Sequence, residues 1–376
     1  MVSLSTMKRR QFVQRSSYFL LGLGLSACSF ADGSSKGAKS STAEREPSSA
    51  TASGTLNIYT YTSYVNPKIQ EKFTQNTGIQ VIADTYDSNE TMLAKIQARG
   101  GAGYSILSPS DYMVTQMVEL GLLEPLDKSL LQGLNQLAEP FQNPAYDPNN
   151  AHSLPMTWGT TGIAYNSKLL PKAPTDWTSL WELKEEIKGR LTLADDVREV
   201  MGMTLHSLGY SYNSTDKSQI EEAYEKLREL KPTIASFNSD GWRPQMLSGD
   251  VVVSMAYSGD GLAIGDENPD IKYVIPAGGT SLWTDTIAIP KAAPNKAAAY
   301  AWVNALLQPE NAAEISSANN FSTPNKAAIA LVPEKLKNNP NWQPSEQILA
   351  KCERIQPVDE PTQALLDDYW TRLKSI

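Results

Sequence analysis

Leu56-Asn57-Ile58-Tyr59-Thr60-Tyr61, then Asn66-Pro67, then Ile69 and Phe73 ahead of Gly78, and finally Ile79 to Tyr86 form the stretch that decides the fold. The first six residues are rich in aromatic and β-branched side chains and predict a strand. Asn66 offers an N-cap and Pro67 a preset φ at the first helical position, so a helix begins there. Ile69 and Phe73, four apart, share one face of it, and Gly78 supplies its end. Ile79 to Tyr86 then predicts a second strand. Strand, helix and strand in so short a span imply parallel neighbours with a helix packed on their face.

The pattern continues outward. A helix after Ser88, a strand from Tyr104 to Leu107 and a helix from about Asp111 to Leu120 extend the expected parallel α/β sheet. Pro-rich stretches between 140 and 155 interrupt it, and Leu154 to Tyr165 reads as an extended segment entering a second α/β set. In that set Ile220, Ala223, Leu227 and Leu230 mark one face of an amphipathic helix. Val251 to Met255, Ile271 to Ile275 and Trp283 to Ile289 read as strands, followed by Ala-rich helices.

With 376 residues, 41% of them hydrophobic, the chain suffices for two compact domains or one two-lobed unit. Its 41 acids against 33 bases give a net charge of −8, which offers no basic face to nucleic acid and suits a cationic ligand better. Two Cys and two His cannot build a disulfide framework or a Cys/His zinc site, so neither metal nor cofactor is expected.

Lys8, Arg9, Arg10 and Arg15, without an acid among them, precede ten mostly apolar residues from Tyr18 to Ala27. This is a signal-peptide pattern, too short to cross a hydrocarbon core of roughly 30 Å. Leu25-Ser26-Ala27-Cys28 resembles the lipobox of bacterial lipoproteins, which implies removal of residues 1–27 and lipidation of Cys28. Arg9-Arg10-Gln11-Phe12 matches the twin-arginine signal only in part, so Sec and Tat export both stay open. Loss of those four bases leaves 29 against 41 acids, a net −12. Residues 29–54 hold eight Ser and three Gly and read, with Cys28, as a flexible tether.

Enzyme motifs are scarce: the sequence holds no Gly-x-Ser-x-Gly, phosphate loop, His-Glu-x-x-His or Cys-x-x-Cys. His152, His206 and Cys352 read as packed side chains. Two other patterns point to a ligand. Asp195-Asp196-Val197-Arg198-Glu199 places acids where a strand turns into a helix, and Asp196 and Glu199, three apart, share one face. Capping of the helix start explains the same acids equally well. Trp283-Thr284-Asp285 sets an indole and a carboxylate on one face of a strand, a pairing suited to an ammonium group. A core Trp beside a surface Asp is the alternative.

Residues 55–376 resemble the spermidine/putrescine-binding proteins of bacterial ABC importers. The resemblance rests on Tyr61-Thr62-Ser63-Tyr64-Val65, Thr85 to Met92, Ser108-Pro109-Ser110-Asp111-Tyr112, Trp158-Gly159, Asp195 to Val200, Phe237 to Asp240, Trp283 to Asp285 with Ile289-Pro290, and Ser322 to Asn325. It implies the α/β, two-lobed periplasmic binding protein fold (type II) with a ligand cleft between the lobes. Crossovers near 160, 284 and 330 would divide the chain into lobe 1, residues 55–160 and 284–330, and lobe 2, residues 161–283 and 331–376. The resemblance carries ligand positions onto Tyr61, Thr62, Tyr64, Ser110, Tyr112, Asp196, Glu199, Tyr257, Trp283, Asp285, Phe321 and Gln356. Ser63 stands where some members carry Glu, and Asp111 is the nearby candidate to replace that acid. Tyr257 stands where Trp is common, and Phe321 where Tyr is common. The expected protein is a monomeric polyamine receptor serving an ABC permease, without chemistry of its own. Two rivals remain at this point: a receptor of the same fold for ferric iron or another small solute, and an exported enzyme using Asp196 and Glu199 as an acid/base pair.

Overall fold

The computed structural model describes residues 53–376. The expected signal peptide, Cys28 and all but the last two residues of the tether lie outside the described residues.

β1 (Thr55–Tyr61), α1 (Pro67–Thr77) and β2 (Gln80–Tyr86) form as the opening stretch predicts. The Asn66 side chain accepts from the Ile69 N–H, Pro67 takes the first turn, and Gly78 ends α1 at φ 73°, a left-handed conformation that glycine adopts without strain. α2 (Asn89–Ala98), β3 (Ile106–Leu107) and α3 (Asp111–Glu119) follow. Single helical turns then lead to the long β4 (Ser153–Asn166). The next part runs α4 (Ser179–Glu182), β5 (Leu191–Leu193), α5 (Val197–Ser207), α6 (Lys217–Leu230) and β6 (Ile234–Phe237). After it come α7 (Trp242–Ser248), β7 (Val253–Tyr257), α8 (Ser258–Glu267), β8 (Ile271–Val274) and β9 (Leu282–Ala288). α9 (Lys296–Leu307), α10 (Pro309–Asn319), α11 (Lys326–Leu331) and a C-terminal helix, Glu360–Ser375, complete the main elements.

The strands are ordered β2-β1-β3-β9-β4-β7-β5-β6, with β8 paired to β4. The parallel sheet expected for the first elements forms among β1, β2 and β3, and the full sheet is mixed. β1 is parallel to β2 and β3, and β5 to β6 and β7, but β9 and β4 run antiparallel to their neighbours. Local alternation of strand and helix reports only pairings made by short crossovers. It carries no information about β9, which arrives from far along the chain and inserts between β3 and β4.

β4 serves two regions. Its first half, Ser153 to Thr160, pairs with β9, and its second half, from Thr161 on, pairs with β7 and β8. The apolar core divides in the same way. Leu56, Ile58, Phe73, Leu154 and Trp302 pack in one cluster, with Tyr59, Ile96 and Met113 in another nearby on the β1 to β3 side. Ile163, Trp177, Leu191, Val200, Ile220 and Leu366 form a separate core around α5, α6 and the C-terminal helix.

Candidate ligand-binding site

A cavity of about 130 Å³ opens where strands end and helices begin. Tyr61 closes β1, Tyr86 closes β2, Ser110 and Asp111 start α3, Asp196 starts α5, and Trp283 and Asp285 lie on β9; all seven line it. Ends of parallel strands and starts of helices are where α/β sheets hold ligands, because backbone and side chains there converge on open space. The lining includes the carboxylates of Asp87, Asp111, Asp196, Glu199, Asp240, Asp260 and Asp285 and, among the described residues, no Lys, Arg or His.

Asp285 is 9% exposed. Its Oδ1 accepts from Ser110 Oγ at 2.6 Å and its Oδ2 from the Tyr64 hydroxyl at 2.5 Å. Tyr64 is itself engaged by Thr157 Oγ1, so the phenol is fixed from behind. Burial pushes the Asp285 carboxyl above its ordinary value, while the two hydroxyls draw it back by favouring the ionised form. Both partners are neutral, so the carboxylate's charge is left for a ligand.

Glu199 is 3% exposed and also accepts from two hydroxyls, Thr161 Oγ1 at 2.9 Å and Ser281 Oγ at 2.7 Å. Burial, and then repulsion from Asp196, push its carboxyl up to about 8. Asp196 is the N-cap of α5, its Oδ1 accepting from the Arg198 and Glu199 N–H groups. The capping and ligand readings of this segment are therefore compatible: one oxygen serves the helix while the residue still lines the cavity. Burial raises the Asp196 carboxyl as well.

Between these acids stand aromatic walls. Trp283 packs edge-on against Phe321 at 4.9 Å and Tyr257 at 5.9 Å, and Tyr61 lies 4.5 Å from Tyr86. Two glycines make this packing fit. A Cβ on Gly159 would lie 2.5 Å from Trp283, and one on Gly259 would lie 2.4 Å from Phe321. The backbone of Ser322 pairs with that of Trp158, which carries Phe321 to the cavity wall.

The structure thus brings Tyr61, Thr62, Ser110, Asp111, Tyr112, Asp196, Glu199, Tyr257, Trp283, Asp285 and Phe321 to one cavity. Tyr64 stands just behind, through Asp285. Gln356 is exposed outside the lining; its carbonyl accepts from Arg198 at 2.8 Å, and its neighbour Ile355 faces the cavity instead. Asp111 is 2% exposed and paired to Arg354 at 2.8 Å. Tyr112 donates to Glu90 at 2.9 Å and accepts from Asn89 at 3.1 Å. Tyr86, Asp87, Asn89 and Asp240 stood in segments of the resemblance without being assigned as ligand positions, and Asp260 was not singled out from the sequence. Asp87-Ser88-Asn89 follows a strand and precedes a helix, the same signal that marked Asp195 to Glu199. His152 meets Asp147 and His206 the Gly278 carbonyl, away from the cavity.

A mixed α/β sheet crossed by two antiparallel strands, with an acid and aromatic cavity at its strand ends, is the architecture of a solute-binding protein. Residues 68–344 match the bacterial extracellular solute-binding protein family. The chain is 38% identical over 327 residues to the spermidine/putrescine-binding periplasmic protein of Salmonella typhimurium, covering 87% of this chain and 93% of the relative. Its fold matches a putative spermidine/putrescine ABC transporter from Listeria monocytogenes with a TM-score of 0.82 and 36% identity, over 85% of this chain and 98% of the other. A spermidine/putrescine ABC transporter substrate-binding protein from Streptococcus pneumoniae matches with a TM-score of 0.74 and 37% identity, over 86% and 99%. The chain belongs to this family of bacterial extracellular solute-binding proteins.

Proposed function

We propose that the protein captures a linear polyamine, spermidine or putrescine, outside the cytoplasm and delivers it to an ABC permease. The observation that carries this reading is Asp285: a buried carboxylate held by two hydroxyls and by no cation, beside a wall of Trp283, Phe321 and Tyr257 in a cavity free of basic side chains. An ammonium supplies the missing charge, and the methylenes between ammonium groups pack on the aromatic faces. Glu199 and Asp196 answer a second ammonium. Thr62 and Gln356 serve at the rim.

The same reading assigns residues 1–27 to export, Cys28 to a lipid anchor and residues 28–54 to a tether that holds a monomeric body off the membrane. It divides the body into lobe 1, 55–160 and 284–330, and lobe 2, 161–283 and 331–376, closing on the ligand. The two-sided pairing of β4 supports a hinge there. Among the described residues no helix is long and apolar enough to cross a membrane. Cys28→Ala is expected to release the protein from membranes with ligand affinity unchanged. A thermal-shift screen tests the ligand class: putrescine, spermidine and spermine raise the midpoint, and a rise with amino acids or ferric citrate but none with polyamines rejects the reading.

A further inference from the structure

Two short segments meet crosswise at the cavity floor. Ser110-Asp111 begins α3 and Thr284-Asp285 lies on β9. Each acid turns to the other segment: Asp285 accepts from Ser110 Oγ at 2.6 Å, and Asp111 Oδ2 accepts from the Thr284 N–H at 3.2 Å. The two carboxylates are nevertheless in different company. Asp285 has hydroxyl partners only, whereas Asp111 Oδ2 also takes Arg354 Nη1 at 2.8 Å, and its Oδ1 takes the Tyr112 N–H at 2.9 Å. Arg354 is aimed from both sides. Its Nη1 donates to Thr284 Oγ1 at 2.6 Å, its carbonyl accepts from Asn213 Nδ2 at 2.9 Å, and the preceding Glu353 N–H reaches the Thr280 carbonyl at 2.9 Å.

We propose that Arg354 is a positioning residue for the ligand site: it cancels the charge of Asp111, so that Asp285 is the one free carboxylate at this end of the cavity and a single ammonium is matched to it. The inference rests on the polyamine reading. It also changes the role expected of Asp111, which is a neutralised neighbour of the ligand carboxylate rather than a substitute for the acid missing at Ser63. Burial pushes the Asp111 carboxyl up to about 6, Arg354 draws it down, and Asp285 pushes it up, as expected for two acids that share a floor and are kept apart electrically by one guanidinium. A pair that is neutral as a unit is replaceable by neutral groups of similar size, whereas removal of one member leaves the other's charge buried and unpaired.

The test is calorimetry with spermidine and putrescine on wild type, D111N and the double variant D111N/R354Q, with apo thermal midpoints recorded. D111N leaves the Arg354 cation unpaired on Thr284, one residue along β9 from Asp285, where its positive charge opposes the ligand ammonium, so affinity is expected to fall tenfold or more. D111N/R354Q removes both charges and is expected to return to within threefold of wild type. If Asp111 contacts the ligand, or if the pair merely ties the chain together, the double variant stays as weak as D111N, and that result overturns the inference. D111N within threefold of wild type overturns it too. Should D111N fail to fold, the double variant decides alone: within threefold supports, tenfold or weaker overturns. Wild type that binds neither polyamine overturns the functional reading and this inference with it, a result distinct from a wild type that binds and a double variant that does not recover.

Discussion

Asp285 and Glu199 are buried to similar depth, and each accepts from two hydroxyls, yet they stand in different electrostatic company. Asp285 faces Tyr64 and Ser110, and its acidic neighbour Asp111 is held by Arg354. Glu199 has Asp196 three residues before it on the same turn, and its carboxyl rises to about 8. Hydroxyl donors fix where a carboxylate sits without consuming its charge. Neighbouring charges then decide how readily it ionises before a cation arrives. The Asp285 end is therefore held by hydroxyls with its acidic neighbour already paired, and the Glu199 end carries a carboxyl that ionises fully when the ligand enters.

The largest effect expected from this contrast is at the anchor. Asp285→Asn keeps side-chain volume but removes the counter-charge of a desolvated ammonium, which costs about 2 to 5 kcal/mol, or roughly 30-fold or more in Kd. Calorimetry checks it, and an affinity within threefold of wild type would remove Asp285 from the site. Glu199→Gln is expected to cost about tenfold near pH 7, less than Asp285→Asn, because a Glu199 carboxyl raised to about 8 is mostly protonated there before the ligand enters. Equal losses in the two variants would erase the distinction between the two ends. A smaller effect is expected from Gly159→Ala. Its Cβ must displace the Trp283 ring, 2.5 Å away, so part of a cation–π contact worth about 0.5 to 2 kcal/mol is lost, roughly fivefold in Kd.

A separate effect falls on the stability of the empty protein. A carboxyl raised from about 4.5 to about 8 binds its proton more tightly in the fold than in the unfolded chain. Its contribution is complete below the unfolded value and is lost as pH climbs through the folded one. The apo midpoint is thus expected to fall between pH 5 and 8, and to fall less in Glu199→Gln. A scan showing identical slopes would contradict the assignment of that raised carboxyl.

Much of this arrangement was legible in the sequence because its signals are local. Asn66-Pro67 and Gly78 delimited α1, the acids of 195–199 marked the start of α5, and the spacing of Trp283 and Asp285 put them on one face of β9. What escaped is long-range. Nothing near Tyr64 says that its hydroxyl holds a carboxylate 221 residues later, and nothing near Asp111 points to Arg354, 243 residues away. The same distance hid the insertion of β9 between β3 and β4, which extends the parallel pairing of β1 to β3 into a mixed sheet. Gly159 shows a subtler limit. It stood among the residues of the resemblance, but that it makes room for Trp283 depends on two strands meeting in register.

One measurement tests the central claim most directly: titration of spermidine and putrescine into wild-type protein by calorimetry at pH 7 to 8, in buffers of different ionisation enthalpy. The carboxyl of Glu199, raised to about 8, gives up its proton as an ammonium replaces it. The account predicts saturable one-to-one binding with a heat that varies with the buffer and reports net proton release. Absence of saturable heat with either polyamine, or a net uptake of protons on binding, would contradict it.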